Sequence, residues 1–317
     1  MSKTALVCGV TGQDGAYLAQ LLLSKGYKVI GTSRDAEAST FSNLDRLGIK
    51  SKVTLTSMSL NDFRSVLQVI AKFEPLEIYN LAGQTSVGLS FSQPVETMES
   101  ISSGVLNLLE AVRFVNKSIR IYNAGSGEVF GDTGKEPANE ETAFRPRSPY
   151  AVAKAAGFWQ VATYREAYDL FACTGLLFNH ESPLRPHRFV TQKIIDGAKE
   201  IAVGNLKKMV LGNLDITRDW GWAPEYVEAM WLMLQSTNAE DYVIATGSSF
   251  SLEQFVEKAF APYNLDWKKY VQVDRSFFRP LDIHLSRADP KRAKEKLGWK
   301  AQNGLDDVIR KMRESSL

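Results

Sequence analysis

At 317 residues with 44% hydrophobic side chains, the chain can bury a sizeable core, either as one large α/β unit or as a nucleotide domain with a smaller partner. Its 38 lysines and arginines nearly balance its 36 aspartates and glutamates and are spread along the chain, so neither nucleic acid nor an anionic membrane is an expected partner. The two cysteines, Cys8 and Cys173, sit in apolar runs that read as buried strands, which argues against a disulfide framework or a metal site and for a reducing cytoplasm.

Met1-Ser2-Lys3 leads directly into a strand-like run, so no signal peptide is expected, and no apolar stretch is long enough to span a bilayer. Short β-branched runs at 4–9, 28–32, 53–56, 77–82, 120–125 and 171–178 predict strands, with amphipathic helical patterns between them. The first helical pattern covers 16–23 and closes on Lys25-Gly26. Strict alternation of strand and helix predicts an α/β, Rossmann-type, doubly wound parallel sheet whose ligands gather at the carboxyl ends of the strands. Residues 1–178 are expected to form this dinucleotide-binding domain, completed by later segments. After the Pro/Arg-rich stretch Ser182-Pro183-Leu184-Arg185-Pro186-His187-Arg188, residues 179–317 are expected to make mainly a smaller, mixed α/β substrate-binding domain. Near its end, Asp289 is expected to cap a helix with Pro290 at its first position, stopped at Leu297-Gly298.

Three glycines, Gly9, Gly12 and Gly15, lie between the first strand and the first helix, where a backbone free of Cβ atoms can approach a pyrophosphate held by the helix amides. Taken alone, the triplet also reads as a tight strand-to-helix turn. The second strand ends Ser33-Arg34 with no carboxylate to hold a ribose 2′-hydroxyl, which favours NADP over NAD, with Arg34 pairing the 2′-phosphate; a solvated loop arginine is the other reading. Tyr150 and Lys154 stand four apart at the start of a helix and share one face. An ammonium beside the phenol, together with a nicotinamide's charge, is expected to depress the phenol's pKa so that Tyr150 acts as a base. A surface pair at that spacing is common by chance, and Ser126, just past the fifth strand, tips the balance.

These residues and the stretches Asn80-Leu81-Ala82-Gly83-Gln84-Thr85-Ser86-Val87, Pro146 through Lys154, Phe178-Asn179-His180-Glu181-Ser182-Pro183 and Arg218-Asp219-Trp220-Gly221 resemble the extended short-chain dehydrogenase/reductases. Within them the chain is similar to the GDP-mannose 4,6-dehydratase family over nearly its whole length. The resemblance implies a redox-neutral lyase that converts GDP-mannose to GDP-4-keto-6-deoxymannose: hydride leaves C4 for NADP, water is lost across C5 and C6, and the hydride returns to C6. It implies Ser126, Glu128, Tyr150 and Lys154 as the catalytic set, with Glu128 taking the C5 proton that a 4-keto group acidifies. It implies cofactor contacts from Thr11, Gln13, Asp14, Ser59, Leu60, Leu81, Ala82, Gln84, Thr85, His180 and Arg185, besides the glycines, Arg34, Tyr150 and Lys154. Ser90, Asn179, Lys193, Arg218 and Arg279 resemble residues that hold the GDP diphosphate and sugar, alongside Ser126 and Glu128.

Some positions depart from the family. Ser126 replaces a threonine and keeps the hydroxyl, Gly127 replaces a serine, and Ser59 replaces an aspartate that meets the adenine. Residues 35–40 replace an arginine- and serine-rich loop that packs on a neighbouring subunit, leaving either a homodimer or a homotetramer as the expected assembly. Glu96 replaces a tyrosine near the nicotinamide end, and Arg185 to Arg188 replaces an Arg-Gly loop beside the sugar; a GDP-heptose therefore remains an alternative substrate. A reductase or epimerase of the 4-keto product is the nearest rival activity, and Glu128 separates the two.

Overall fold

The computed structural model describes residues 3–314; Met1 and Ser2, which bear on the absence of a leader, lie outside the described residues. Twelve strands are described: β1 (Thr4–Cys8), β2 (Lys28–Ser33), β3 (Thr54–Ser57), β4 (Glu77–Asn80), β5 (Arg120–Ala124), β6 (Ala172–Leu177), β7 (Asn179–Glu181), β8 (Met209–Leu211), β9 (Thr217–Trp222), β10 (Tyr242–Ile244), β11 (Ser249–Ser251) and β12 (Val271–Val273). The six expected strands all form. Several stop one or two residues short of the sequence estimate at their carboxyl ends, because there the chain leaves the ladder for loops; Gly9 turns at once with φ +80°.

The main sheet has the order β3-β2-β1-β4-β5-β6-β10, and every neighbouring pair is parallel. Each parallel step needs a crossover, and the long helices supply it on both faces. Along β1 the side chains alternate: Ala5 and Val7 pack with the helices Gln13–Ser24 and Ala223–Gln235, whereas Leu6 and Cys8 pack with Phe63–Phe73 and Gly104–Val115. A sheet covered on both sides explains why the central strands β1, β4, β5 and β6 are buried along almost their whole length, whereas the edge strand β3 is not. Strand order reverses between β1 and β4, and the loops after β1, β4, β5 and β6 therefore open a crevice at one edge.

The last strand of this sheet, β10, comes from the second half of the chain, and so does the helix Ala223–Gln235 on its face. The remaining segments build a second lobe from the mixed sheet β11-β9-β7 and the pair β12-β8. Its core joins Ile194, Ile195 and Ile201 to Trp220, Phe255, Phe260, Val308 and Met312. Two helix starts differ from the sequence reading. The first helix begins at Gln13, three residues before the apolar pattern, since the turn after Gly12 already carries the helical bonds. The late helix runs Lys291–Leu297 with Pro290 itself at the cap; the Asp289 carboxylate accepts the Lys291 N–H at 3.0 Å, and Gly298 closes the helix at φ +66°.

Candidate active site

At the carboxyl end of β1 the backbone itself forms a cradle. A Cβ on Gly9 would stand 2.9 Å from the Ala82 Cα, and one on Gly15 would stand 2.3 Å from the Gly9 carbonyl oxygen. Gly12 caps the helix Gln13–Ser24 with no side chain, so the amides of the first turn face outward without an internal substitute for an anion. These residues fit the diphosphate of a dinucleotide, which would lie over this turn.

Beside it opens a cleft of about 470 Å³ whose walls come from both lobes. Ser126, Glu128, Tyr150 and Lys154 all line it. Gly125 hands the chain out of β5, after which Ser126 caps the 3₁₀ turn Gly127–Phe130 by accepting the Glu128 N–H at 3.3 Å. On the neighbouring wall Ser148 caps the helix Pro149–Tyr168 through the Ala151 N–H, and Pro149 supplies the preset φ of a first helical turn. One helical turn therefore carries Tyr150 and Lys154 into the cleft.

Within the protein alone, burial pushes Tyr150 up to about 12, against which a hydrogen bond with Ser126 pulls downward, and Glu128 adds a further upward push; the nicotinamide's charge, the other half of the sequence expectation, stands outside this balance. Lys154 is itself buried and falls to about 8, with its Nζ donating to the Ala124 carbonyl oxygen at 2.7 Å and standing 5.7 Å from the Tyr150 ring centre. Desolvation outweighs the charge pairing that the i, i+4 spacing suggested.

His180 sits on β7 against the first helix. Its Nδ1 faces the Phe178 carbonyl oxygen at 2.7 Å and its Nε2 faces the Asp14 carboxylate at 2.8 Å. Both partners are acceptors when Asp14 is ionised, so the ring donates from both nitrogens as an imidazolium. Burial opposes that charge, but Asp14 and the Phe178 carbonyl outweigh it and the His180 pKa rises; for Asp14, burial is likewise outweighed by His180 and the pKa falls. Gln13 reinforces the junction, donating to the His180 carbonyl and accepting from Ser182. The ring stacks on Tyr226 with centres 4.6 Å apart. Asp14 and His180 thus clip the glycine turn to the second lobe.

The second lobe contributes cations. Lys193, Arg218 and Arg279 line the cleft with Asn179 and Arg185. Lys193 donates to the Val210 carbonyl, and Arg185 pairs with Glu181 at 3.2 Å while lying over the Phe189 ring. Arg218 is only 3% exposed. It stands 4.0 Å from Glu128 and 3.5 Å from Asp282, and its Nη2 has no hydrogen-bond partner within the protein. Arg279 pairs with the same Asp282 at 3.8 Å. Sequence reasoning missed Asp282, Phe277 and the cleft-facing position of Arg188, all of which line this wall. The local pattern around Asp282 shows only its nearby partner Arg279, three residues before it; the pairing with the distant Arg218 is made by the fold.

Of the remaining expected cofactor contacts, Asp14, Leu81 and Thr85 reach the cleft. Gly9, Thr11, Gly12, Gln13 and Gly15 form the turn beside it, and Ala82 packs against Gly9. Gln84 donates to the Ser86 carbonyl in its own loop and to Thr97 on the helix Pro94–Met98. After β3, the Ser59 N–H donates to Ser65 and the Leu60 carbonyl accepts from Asn107, outside the cleft. Ser90 is fully buried, donates to the Val87 carbonyl inside its own short helix, and does not reach the cleft wall. Arg34 lies on the surface beyond β2 and pairs with Glu96, which rides on the first turn of the helix Pro94–Met98. Among the described residues, no cluster of three or more His, Cys, Asp or Glu side chains is arranged to hold a metal ion, and no helix is long and apolar enough to cross a membrane.

Comparisons with known proteins bear on the family and the fold. The family profile described as GDP-mannose 4,6 dehydratase matches residues 6–312. GDP-mannose 4,6 dehydratase 2 of Arabidopsis thaliana is 44% identical over 99% of this chain and 87% of its own length. GDP-mannose 4,6 dehydratase of Homo sapiens is 40% identical over 98% of this chain and 90% of its own. Among solved structures, dTDP-glucose 4,6-dehydratase from Bacillus anthracis in complex with NAD superposes with a TM-score of 0.86 at 19% identity, covering 99% of this chain and 96% of that one. Thermus thermophilus UDP-glucose 4-epimerase complexed with NAD gives 0.85 at 24% identity over 98% of each chain.

Proposed function

The chain belongs to the GDP-mannose 4,6-dehydratase family, and from that premise we propose that it dehydrates a GDP-linked mannose-type sugar with Glu128 as the elimination base and NADP as its cofactor. The observation that carries the reading is that Glu128, Ser126, Tyr150 and Lys154 line one cleft together with Lys193, Arg218 and Arg279, cations suited to a diphosphate. When bound, the nicotinamide dinucleotide supplies hydride acceptance at sugar C4 and hydride return at C6.

Tyr150 takes the proton of the C4 hydroxyl as that carbon is oxidised, while the Ser126 hydroxyl hydrogen-bonds the same oxygen and fixes its direction. The Lys154 ammonium, anchored on the Ala124 carbonyl, supplies positive charge that favours the Tyr150 phenolate needed before the transfer; the transfer itself leaves Tyr150 as a neutral phenol. Glu128 removes the C5 proton made acidic by the new carbonyl and passes it to the C6 hydroxyl, which departs as water; as C6 is reduced, C5 takes back the proton that Tyr150 drew from the C4 hydroxyl, and the protein returns to its starting protonation state. Lys193, Arg218 and Arg279 offset the diphosphate charge. NADP is supported by the end of β2: Arg34 is exposed there, and Asp35, the carboxylate next to it in sequence, turns its Oδ1 back to accept the Glu37 and Ala38 N–H groups. Self-association is supported by large apolar side chains exposed on neighbouring helices, among them Val95, Phe114 and Trp159.

The test is product analysis of the wild type and Glu128→Gln with GDP-mannose. The wild type is expected to yield a 4-keto-6-deoxy product with no net change in nicotinamide absorbance, and the variant to bind cofactor while forming at least about 10²-fold less product. Net consumption of reduced cofactor by the wild type on the 4-keto sugar would replace this reading with a reductase.

A further inference from the structure

We propose that Glu96 determines cofactor specificity by competing for Arg34, so that this chain discriminates NADP from NAD only weakly. The inference rests on the reading of Arg34 as the 2′-phosphate contact and goes beyond it by naming the residue that opposes it. Arg34 is the first residue past β2, and its side chain is 85% exposed. Its one ion-pair partner among the described residues is Glu96, at 3.7 Å between Nη1 and Oε1, with Glu96 itself 52% exposed.

The two groups come from different elements, the end of β2 and the first turn of the helix Pro94–Met98, so the carboxylate is delivered to the arginine by the fold. Asp35 adds a second negative charge next to Arg34, although its Oδ1 is occupied by the Glu37 and Ala38 N–H groups. A phosphate monoester reaching this guanidinium must displace Glu96 or sit beside it against like charge. The 2′-hydroxyl of NAD carries no charge and meets no such opposition. Selectivity is a difference between two affinities, and a repulsive group against one ligand changes it as surely as an attractive group for the other. Exposure keeps the effect modest and makes it sensitive to salt.

The test is calorimetric titration of the full chain with NADP and with NAD, for the wild type, Glu96→Gln, Arg34→Ala and the double variant, at low and high salt. Glu96→Gln is expected to tighten NADP about three- to tenfold at low salt, less at high salt, with NAD changed by less than about twofold. Arg34→Ala is expected to weaken NADP selectively and, in the double variant, to abolish the gain. If Arg34→Ala weakens NADP but Glu96→Gln leaves the NADP/NAD ratio unchanged, Glu96 has no such role and only this inference falls. If Arg34→Ala also leaves the ratio unchanged, the assignment of Arg34 to the 2′-phosphate falls with it.

Discussion

The two walls of the cleft are built differently. The wall bearing Ser126, Tyr150 and Lys154 is held by backbone devices: capped helical turns, a strand end and a carbonyl that grips the lysine at 2.7 Å. The wall bearing Arg218, Arg279 and Asp282 is held by side-chain ion pairs of 3.5–3.8 Å, with one buried guanidinium nitrogen lacking a hydrogen-bond partner. A fixed wall suits proton transfers, whose rates depend on a few tenths of an ångström. A wall of loosely paired cations suits a charged ligand that completes their bonding on arrival.

This contrast can be broken most directly at Tyr150. Tyr150→Phe is expected to lower turnover by about 10²–10⁴ with little change in KM, since the ring stays in place and only the proton acceptor is lost. Single-turnover measurement of cofactor reduction checks it, and normal reduction would remove Tyr150 from the first step.

Next comes Lys154, where burial depresses the folded-state pKa from 10.5 to about 8. Below pH 8 the buried ammonium destabilises the fold; as pH rises from about 8 to about 10.5, the unfolded chain binds more protons than the folded one and the penalty disappears. Lys154→Met is therefore expected to gain up to roughly 3 kcal/mol of stability at pH 7, while losing activity. Urea unfolding at pH 7 and pH 10 reads the difference, which should shrink at the higher pH; an equal gain at both would contradict the assigned cost of the charge.

The junction between the walls is tested by Asp14→Asn. The raised His180 pKa contributes stability that is present below the unfolded histidine value and is lost as pH climbs through the folded one. The lowered Asp14 pKa contributes stability present above the unfolded aspartate value and lost as pH drops through its folded one. The variant is expected to lose about 1.5–3 kcal/mol near neutral pH, from the charge-assisted hydrogen bond to His180. Thermal melts from pH 5 to pH 9 should show the wild type converging on the variant toward the alkaline end.

The smallest effect belongs to the cation wall. Arg279→Ala is expected to raise KM about tenfold with kcat changed by less than about threefold, one charged contact being removed from a set of several. A large fall in kcat at saturating substrate would mean that this wall also orders the reacting atoms.

Much of the wall bearing Ser126, Tyr150 and Lys154 was legible in the sequence because its geometry is local. Tyr150 and Lys154 meet through helical periodicity, and Ser126 and Glu128 follow a strand end within two residues of each other. The glycine turn was legible for a similar reason: Gly9 and Gly15 stand where any Cβ would strike backbone. Asp282 was not, since it gains its meaning only from Arg218 and Arg279, and neither was the Arg34–Glu96 pair, which joins a strand end to a helix sixty residues away. The double donation of His180 was hidden in the same way, as Asp14 lies on the far side of the chain in sequence.

The sequence by itself determined the parallel sheet, its order of strand and helix, and the chemical types gathered at the strand ends, because period, turn chemistry and capping act over a few residues. Only the tertiary structure decided which charges pair, that β10 is the later segment that completes the main sheet, and how strongly burial raises Tyr150 and lowers Lys154. Desolvation and long-range pairing depend on everything packed around a group, and no window of neighbouring residues contains that information.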